Sequence, residues 1–269
     1  MKTRLLLALA MSLLFVASAA AQQVEPIIYV ADFTVKPGKN ADFMDLVKKY
    51  DAPVFDQLLK DGVITAWGVD VPVLHTAGGS THSFWWAMPN VGALEKVSAA
   101  LEEMEKKHAG EGIQEKFLAT VDVSKHADVL LREIITGSSA TPPANDQGGY
   151  LWLTFVKVNP GKGDEFRKVW TEYNKPVYDK LVAEGALHGY AVGVEEAKTT
   201  DSFTHYVAVS MPNLAARDKV NAAFKADRDA RTAADRSIIM HSFLGVLDAT
   251  ATRAYILRSV IFRAAQPAK

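Results

Sequence analysis

The chain has no cysteine. Disulfides, thiolate metal sites, cysteine nucleophiles and a lipidated thiol are all excluded, and the fold must be held by its apolar core alone. It also lacks a surplus of either charge: 30 Lys and Arg stand against 31 Asp and Glu, a formal net charge of −1. That balance exerts no general pull toward nucleic acid or anionic lipid, so neither is expected as a partner. There is no Gly-x-Ser-x-Gly elbow, no His-x-x-x-His pair and no glycine-rich phosphate cradle. Three common kinds of catalytic centre therefore lose their sequence support.

Only one apolar run is long, and it stands at the start. Met1-Lys2-Thr3-Arg4 is basic, Leu5 to Val16 is apolar, and Ala17-Ser18-Ala19-Ala20-Ala21 supplies small residues. A run this short falls below the roughly 20 residues a spanning helix needs and has the three-part form of a secretory leader. Residues 1–21 are read as a signal peptide. The mature chain is expected to be soluble, periplasmic or secreted, with no membrane contact after cleavage.

The remainder contains a repeat. Pro37-Gly38-Lys39 matches Pro160-Gly161-Lys162, and 160 − 37 gives an offset of 123. At that offset Phe43 meets Phe166, Tyr50 meets Tyr173, and Pro53-Val54 meets Pro176-Val177. Thr81-His82 meets Thr204-His205, and Met88-Pro89-Asn90 meets Met211-Pro212-Asn213. Agreement in one register over this length indicates a duplication. The expected organisation is a first repeat over 22–136, a Ser-, Pro- and Gly-rich linker over 137–149, and a second repeat over 150–269.

Within each repeat the apolar periodicity alternates between two and 3.6. Ile27–Val35 and Leu151–Val158 read as strands, each followed by a Pro-Gly turn. Phe43, Leu46, Val47, Tyr50 and Val54 form a helical stripe, repeated by Phe166, Val169, Trp170, Tyr173 and Val177. Pro53 and Pro176 should break that helix, with Asp51 and Asn174 capping a second helical segment. Strands are expected at 63–71, 83–88 and 129–134, and at 186–194, 206–211 and 255–260. A second helix follows Asn90 and Asn213, and a short one precedes the last strand. The order β-α-β-β-α-β is ferredoxin-like. One face of such a sheet needs a partner, and two copies supply it to each other. The fold class expected is α+β: two tandem ferredoxin-like repeats forming an intramolecular dimeric α/β barrel.

Thr34-Val35-Lys36-Pro37-Gly38-Lys39 with Phe43, and Val158-Asn159-Pro160-Gly161-Lys162 with Phe166, resemble the opening of domains in the dimeric α/β-barrel superfamily. NIPSNAP-like and antibiotic-biosynthesis-monooxygenase-like domains are the most similar in pattern. The resemblance covers both repeats and implies the fold. Its members range from cofactor-free oxygenases to haem proteins to small-ligand binders, so no single activity is implied.

Strand alternation places Val30, Asp32 and Thr34 on the face toward the space between repeats. A carboxylate there would lose water and have its pKa raised, so Asp32 is a candidate base. A salt bridge to Arg132 on the neighbouring last strand is the plainer alternative. Arg132 and Arg258 sit at equivalent places, fit to clamp a carboxylate or to reach solvent. Trp85 and Tyr206, with Trp67 and Tyr190, are expected to line the same space for a planar ligand. His188 has Thr65 as its counterpart, which makes it the asymmetric candidate for acid–base work. His82 and His205 read as structural, since no further ligand lies near them, and neither a metal site nor a cofactor is expected.

Binding of a small planar or carboxylate-bearing molecule between the repeats ranks first among the functions expected. A cofactor-independent, monooxygenase-like oxidoreductase is the alternative, and a structural role without ligand the third. Strand edges left open at the outside would allow a homo-oligomer.

Overall fold

A computed structural model describes residues 25–76, 79–140, 143–146, 148–197 and 203–265. The expected leader lies outside the described residues. The first half runs β1 (Ile27–Phe33), α1 (Asn40–Leu46), a π-helical turn (Val47–Asp51), α2 (Ala52–Lys60), β2 (Ala66–Pro72), β3 (His82–Met88), α3 (Ala93–Lys107), α4 (Ile113–Thr120) and β4 (Ala127–Ser138). The second half runs β5 (Tyr150–Val158), α5 (Gly163–Tyr173), α6 (Lys175–Ala183), β6 (Gly189–Ala197), β7 (His205–Met211), α7 (Ala215–Asp229), α8 (Ala233–Val246) and β8 (Leu247–Ala264).

The eight strands close into one antiparallel barrel in the order β1-β3-β2-β8-β5-β7-β6-β4. Closure comes from the last strand of each half. β4 lies between β1 and β6, and β8 lies between β5 and β2. Both are longer than the sequence predicts, because each must pair on two sides. β4 therefore runs through Gly137 and Ser138, into the predicted linker. Gly137 has no Cβ, and the Tyr190 ring fills the place where one would stand. A closed barrel has no free strand edge, so the edge-to-edge route to an oligomer is closed.

Alternation decides what each face meets. Ile27, Ala31, Trp67, Val69, Phe84 and Trp86 face the helices of the first half with Phe43, Phe55 and Val97. Val192, Val209, Met211 and Tyr190 do the same in the second half with Phe166, Trp170 and Val220. Leu131, Ala191, Phe203 and Tyr206 fill the barrel interior, with Ile28, Val30 and Phe155 against them.

The expected helix break takes different forms in the two halves. Pro53 has no N–H to continue the α-helical ladder, and the turn before it widens to π form. In the second half, α5 stops at Tyr173 and α6 restarts at Lys175, with Pro176 in its first turn. Neither Asp51 nor Asn174 caps with its side chain. Asp51 itself has helical dihedrals, φ −79° and ψ −45°, so it is a residue inside a continuing helix and not the extended residue a cap requires.

Candidate ligand cavity

A cavity of about 730 Å³ lies between the outer sheet face of the first half and its helices. Its floor is Tyr29, Ala31 and Phe33 of β1 with Phe84 and Trp86 of β3. Leu46, Val47, Phe55, Leu101, Met104 and Phe117 close over it from the helices. Tyr29 and Trp86 stack at 4.2 Å and 16°, so each ring covers one face of the other. The size falls within the range of small-molecule sites, and the lining suits a planar apolar body.

Asp51 enters this cavity from the π-helical turn. Its carboxyl has no hydrogen-bond or ion-pair partner among the described residues. Burial alone pushes its pKa up to about 7. A lone carboxyl at that value exchanges protons at neutral pH, which a surface aspartate does not. The π turn places it there by shifting helical phase ahead of Pro53. Its counterpart in the second half is Asn174, since 174 − 51 is again 123. An amide has no proton to exchange in this range.

Two further polar groups border the cavity. On the floor, His126 Nδ1–H donates to the Asp32 carbonyl at 2.9 Å, and its Nε2 lies 3.2 Å from Asp128. The imidazole stacks on Phe33 at 4.6 Å. Tyr29 donates to Asp128, which together with burial raises the phenol's pKa. Beside the cavity, Glu111 gathers the Lys49 amine at 2.7 Å, the Tyr50 hydroxyl at 2.8 Å and His108 Nδ1 at 2.6 Å. Those three partners hold the Glu111 carboxyl down to about 2. The 109–111 turn is thereby tied to the π turn at the side of the cavity lined by Tyr50 and His108.

The second half keeps little of this space. Trp170 stands where the first half has Val47, and it stacks on Tyr178 at 5.5 Å and 5°. Tyr178 replaces Phe55 and packs on Phe224, which replaces Leu101. What remains is about 100 Å³ beside Trp152, with the Arg217 guanidinium over that ring at 4.1 Å.

None of the candidate catalytic or ligand-binding residues named from sequence lines the large cavity. Asp32, Trp85 and Tyr206 face the barrel interior, as expected. Ser83 Oγ donates to Asp32, and burial raises the Asp32 pKa. Arg132 does not pair with Asp32: it points to the opposite face and bonds Glu25 and Glu196. Alternation explains this, since Leu131 takes the inward position. Arg258 is outward and exposed beside the inward Ser259. Trp67 and Tyr190 face the helices, where Trp67 donates to Asp56 at 3.0 Å and Tyr190 to Asp179 at 2.5 Å. His188 lies just ahead of β6, tied through its backbone to Ser139 and Ser210, and burial lowers its pKa. His82 and His205 bond the hydroxyls of Thr81 and Thr204 at 3.0 and 2.9 Å.

Sequence reasoning also missed two interior acids. Asp70 is buried, accepts from Ser259 Oγ at 2.6 Å and is pushed up to about 6. The Trp85 indole N–H lies close enough to favour the Asp70 charge but outside hydrogen-bond geometry. Glu133 is pushed up to about 7 by burial, and the partnerless Tyr206 hydroxyl lies within its field.

No protein-family model and no curated protein matches the chain. Solved structures do match. A protein of Fusobacterium nucleatum, provisionally described as a monooxygenase, superposes with a TM-score of 0.61 at 12% identity, over 91% of this chain and 96% of that one. A second, from Lactobacillus acidophilus and described in the same way, gives 0.59 at 13%, over 90% and 97%. The fold is that of the dimeric α/β barrels. At such identity the likeness extends to the fold alone. The cavity described above lies outside the barrel, under the helices of the first half.

Proposed function

We propose that the protein binds a small planar aromatic molecule in the first-half cavity and acts on it as a cofactor-independent, monooxygenase-like oxidoreductase. The observation that carries the reading is Asp51: a partnerless carboxyl, titrating near neutrality, inside an aromatic cavity of about 730 Å³. Its role is to take a proton from an acidic C–H, O–H or N–H of the bound ring system. The resulting carbanion or its conjugated equivalent is electron-rich enough to react with dioxygen. For a ring methylene the balance is CH2 + O2 → C=O + H2O, which needs no external reductant. The aromatic floor orients the ring, and the Glu111 tie holds one side of the cavity in place.

The same reading takes the two halves as a duplication whose second copy has filled its cavity with Trp170 and Tyr178. It also takes residues 1–21 as an export signal, which puts the chemistry in the periplasm or outside the cell. The test is dioxygen uptake in the presence of planar substrates bearing an activated methylene or hydroquinone. Turnover by the natural chain and its loss in Asp51→Asn, with affinity for an uncharged planar ligand kept, is the expected result. Binding without uptake in both would leave a carrier of small molecules. No binding at all would end the reading.

A further inference from the structure

The charges around the cavity say which ligands it accepts. Resting on the proposed ligand role of this cavity, we infer that its natural occupant is a planar aromatic base, an aromatic amine or nitrogen heterocycle bound as the cation, and that it rejects carboxylates.

Four carboxyl groups line the cavity: Asp51 from the π turn, Glu105 from α3, Glu115 from α4 and Asp128 from β4. Among the described residues no lysine or arginine lines it. Its only basic side chains are His108 and His126, and each already faces a carboxylate, Glu111 and Asp128 respectively. Lys49, next to the lining residue Tyr50, is held by Glu111. An anionic ligand would add negative charge beside these carboxyl groups, three of them on exposed residues, with no lysine or arginine among the lining residues to answer it. A cation meets the opposite case. Asp51, enclosed and partnerless, lacks only a positive donor. Tyr29, Phe33 and Trp86 among the lining residues supply aromatic quadrupoles that favour positive charge. Aromatic walls with carboxylates behind them thus make one consistent recognition chemistry, absent from the second half, where Arg217 covers Trp152 instead.

The experiment compares three probes of one ring size at pH 7.5: 9-aminoacridine as the cation, 9-hydroxymethylanthracene as the neutral body and anthracene-9-carboxylate as the anion. Binding is read by calorimetry and by quenching of tryptophan fluorescence. The cation should bind at least about tenfold more tightly than the anion, a difference of roughly 1.4 kcal/mol. Removing two charges in Asp51→Asn/Asp128→Asn should shrink that gap to less than about threefold, while the affinity of the neutral probe stays put. An anion that binds as well as the cation, or a gap that survives the double substitution, overturns the inference while leaving the cavity a ligand site. If none of the three binds, the ligand role itself falls, and the inference with it. Should the double variant unfold, Glu105→Gln and Glu115→Gln, each at the cavity's helical wall, must narrow the gap instead.

Discussion

Val47 and Trp170 hold the same position in the first helical stripe of their halves, and the difference between an isopropyl group and an indole decides where the molecule has an interior space. Trp170 is buried and stacked on Tyr178. Val47 leaves the corresponding volume open above Trp86. Val47→Trp should therefore fill the first cavity as its twin fills the second. Affinity for a planar probe should fall by at least about tenfold, with far-UV circular dichroism unchanged. Unaltered binding in a folded variant would show that ligands enter elsewhere.

Asp51 should make the protein less stable as pH rises. Its folded pKa is raised to about 7 from 3.8, so between those values the folded chain holds a proton that the unfolded chain has lost. Stability then falls with pH through that window. Asp51→Asn should stabilise by ~2–4 kcal/mol at pH 8, and the gain should vanish below pH 4. Urea melts at both pH values measure it. An equal gain at the two would remove burial as the cause.

Glu133 makes a second case, inside the barrel. It too is raised, from 4.5 to about 7, and by burial alone. Glu133→Gln keeps the shape, removes the buried charge and gives the Tyr206 hydroxyl an uncharged neighbour. Stability at pH 8 should rise by ~1–3 kcal/mol, with ligand binding in the outer cavity untouched. A change in binding would mean that the two spaces communicate.

The tie beside the cavity should act on rates. Glu111→Gln loses the charge that holds Lys49, Tyr50 and His108 together. Probe dissociation, followed by stopped-flow fluorescence, should quicken about three- to tenfold, and association should quicken with it. Because the Glu111 carboxyl is lowered to about 2 from 4.5, the natural tie persists above pH 4.5 and weakens as pH falls toward 2. A pH-independent dissociation rate across that range would show that the tie does not gate.

The repeated Pro-Gly-Lys turns, the twin stripes and the paired Thr-His dipeptides made the strand and helix order legible before any coordinates. Alternation also placed Asp32, Trp85 and Tyr206 inward. It failed for Trp67 and Tyr190, because the choice of inward face on the second strands had no independent anchor. A glycine at 68 and at 193, each pressed by an aromatic ring, would have supplied one. The cavity itself was not legible. Residues pointing at helices read as core, and whether helix and sheet meet or stand apart depends on volumes such as Val47 against Trp170. Asp51 did carry a signal, the loss of charge at its twin Asn174, but that pair was read as a cap. His188, the other asymmetric position, does not line the cavity.

The seam between β2 and β8 has a consequence for how the chain is made. Asp70 and Ser259, hydrogen-bonded at 2.6 Å, are 189 residues apart. During synthesis from the amino end, β1, β3 and β2 are complete long before β8 exists. Until then the β2 edge, with Trp67 and Val69 along it, has no partner. Folding of the two halves is thus coupled by order of arrival, and the nascent first half is the state in which this protein most needs a chaperone's cover.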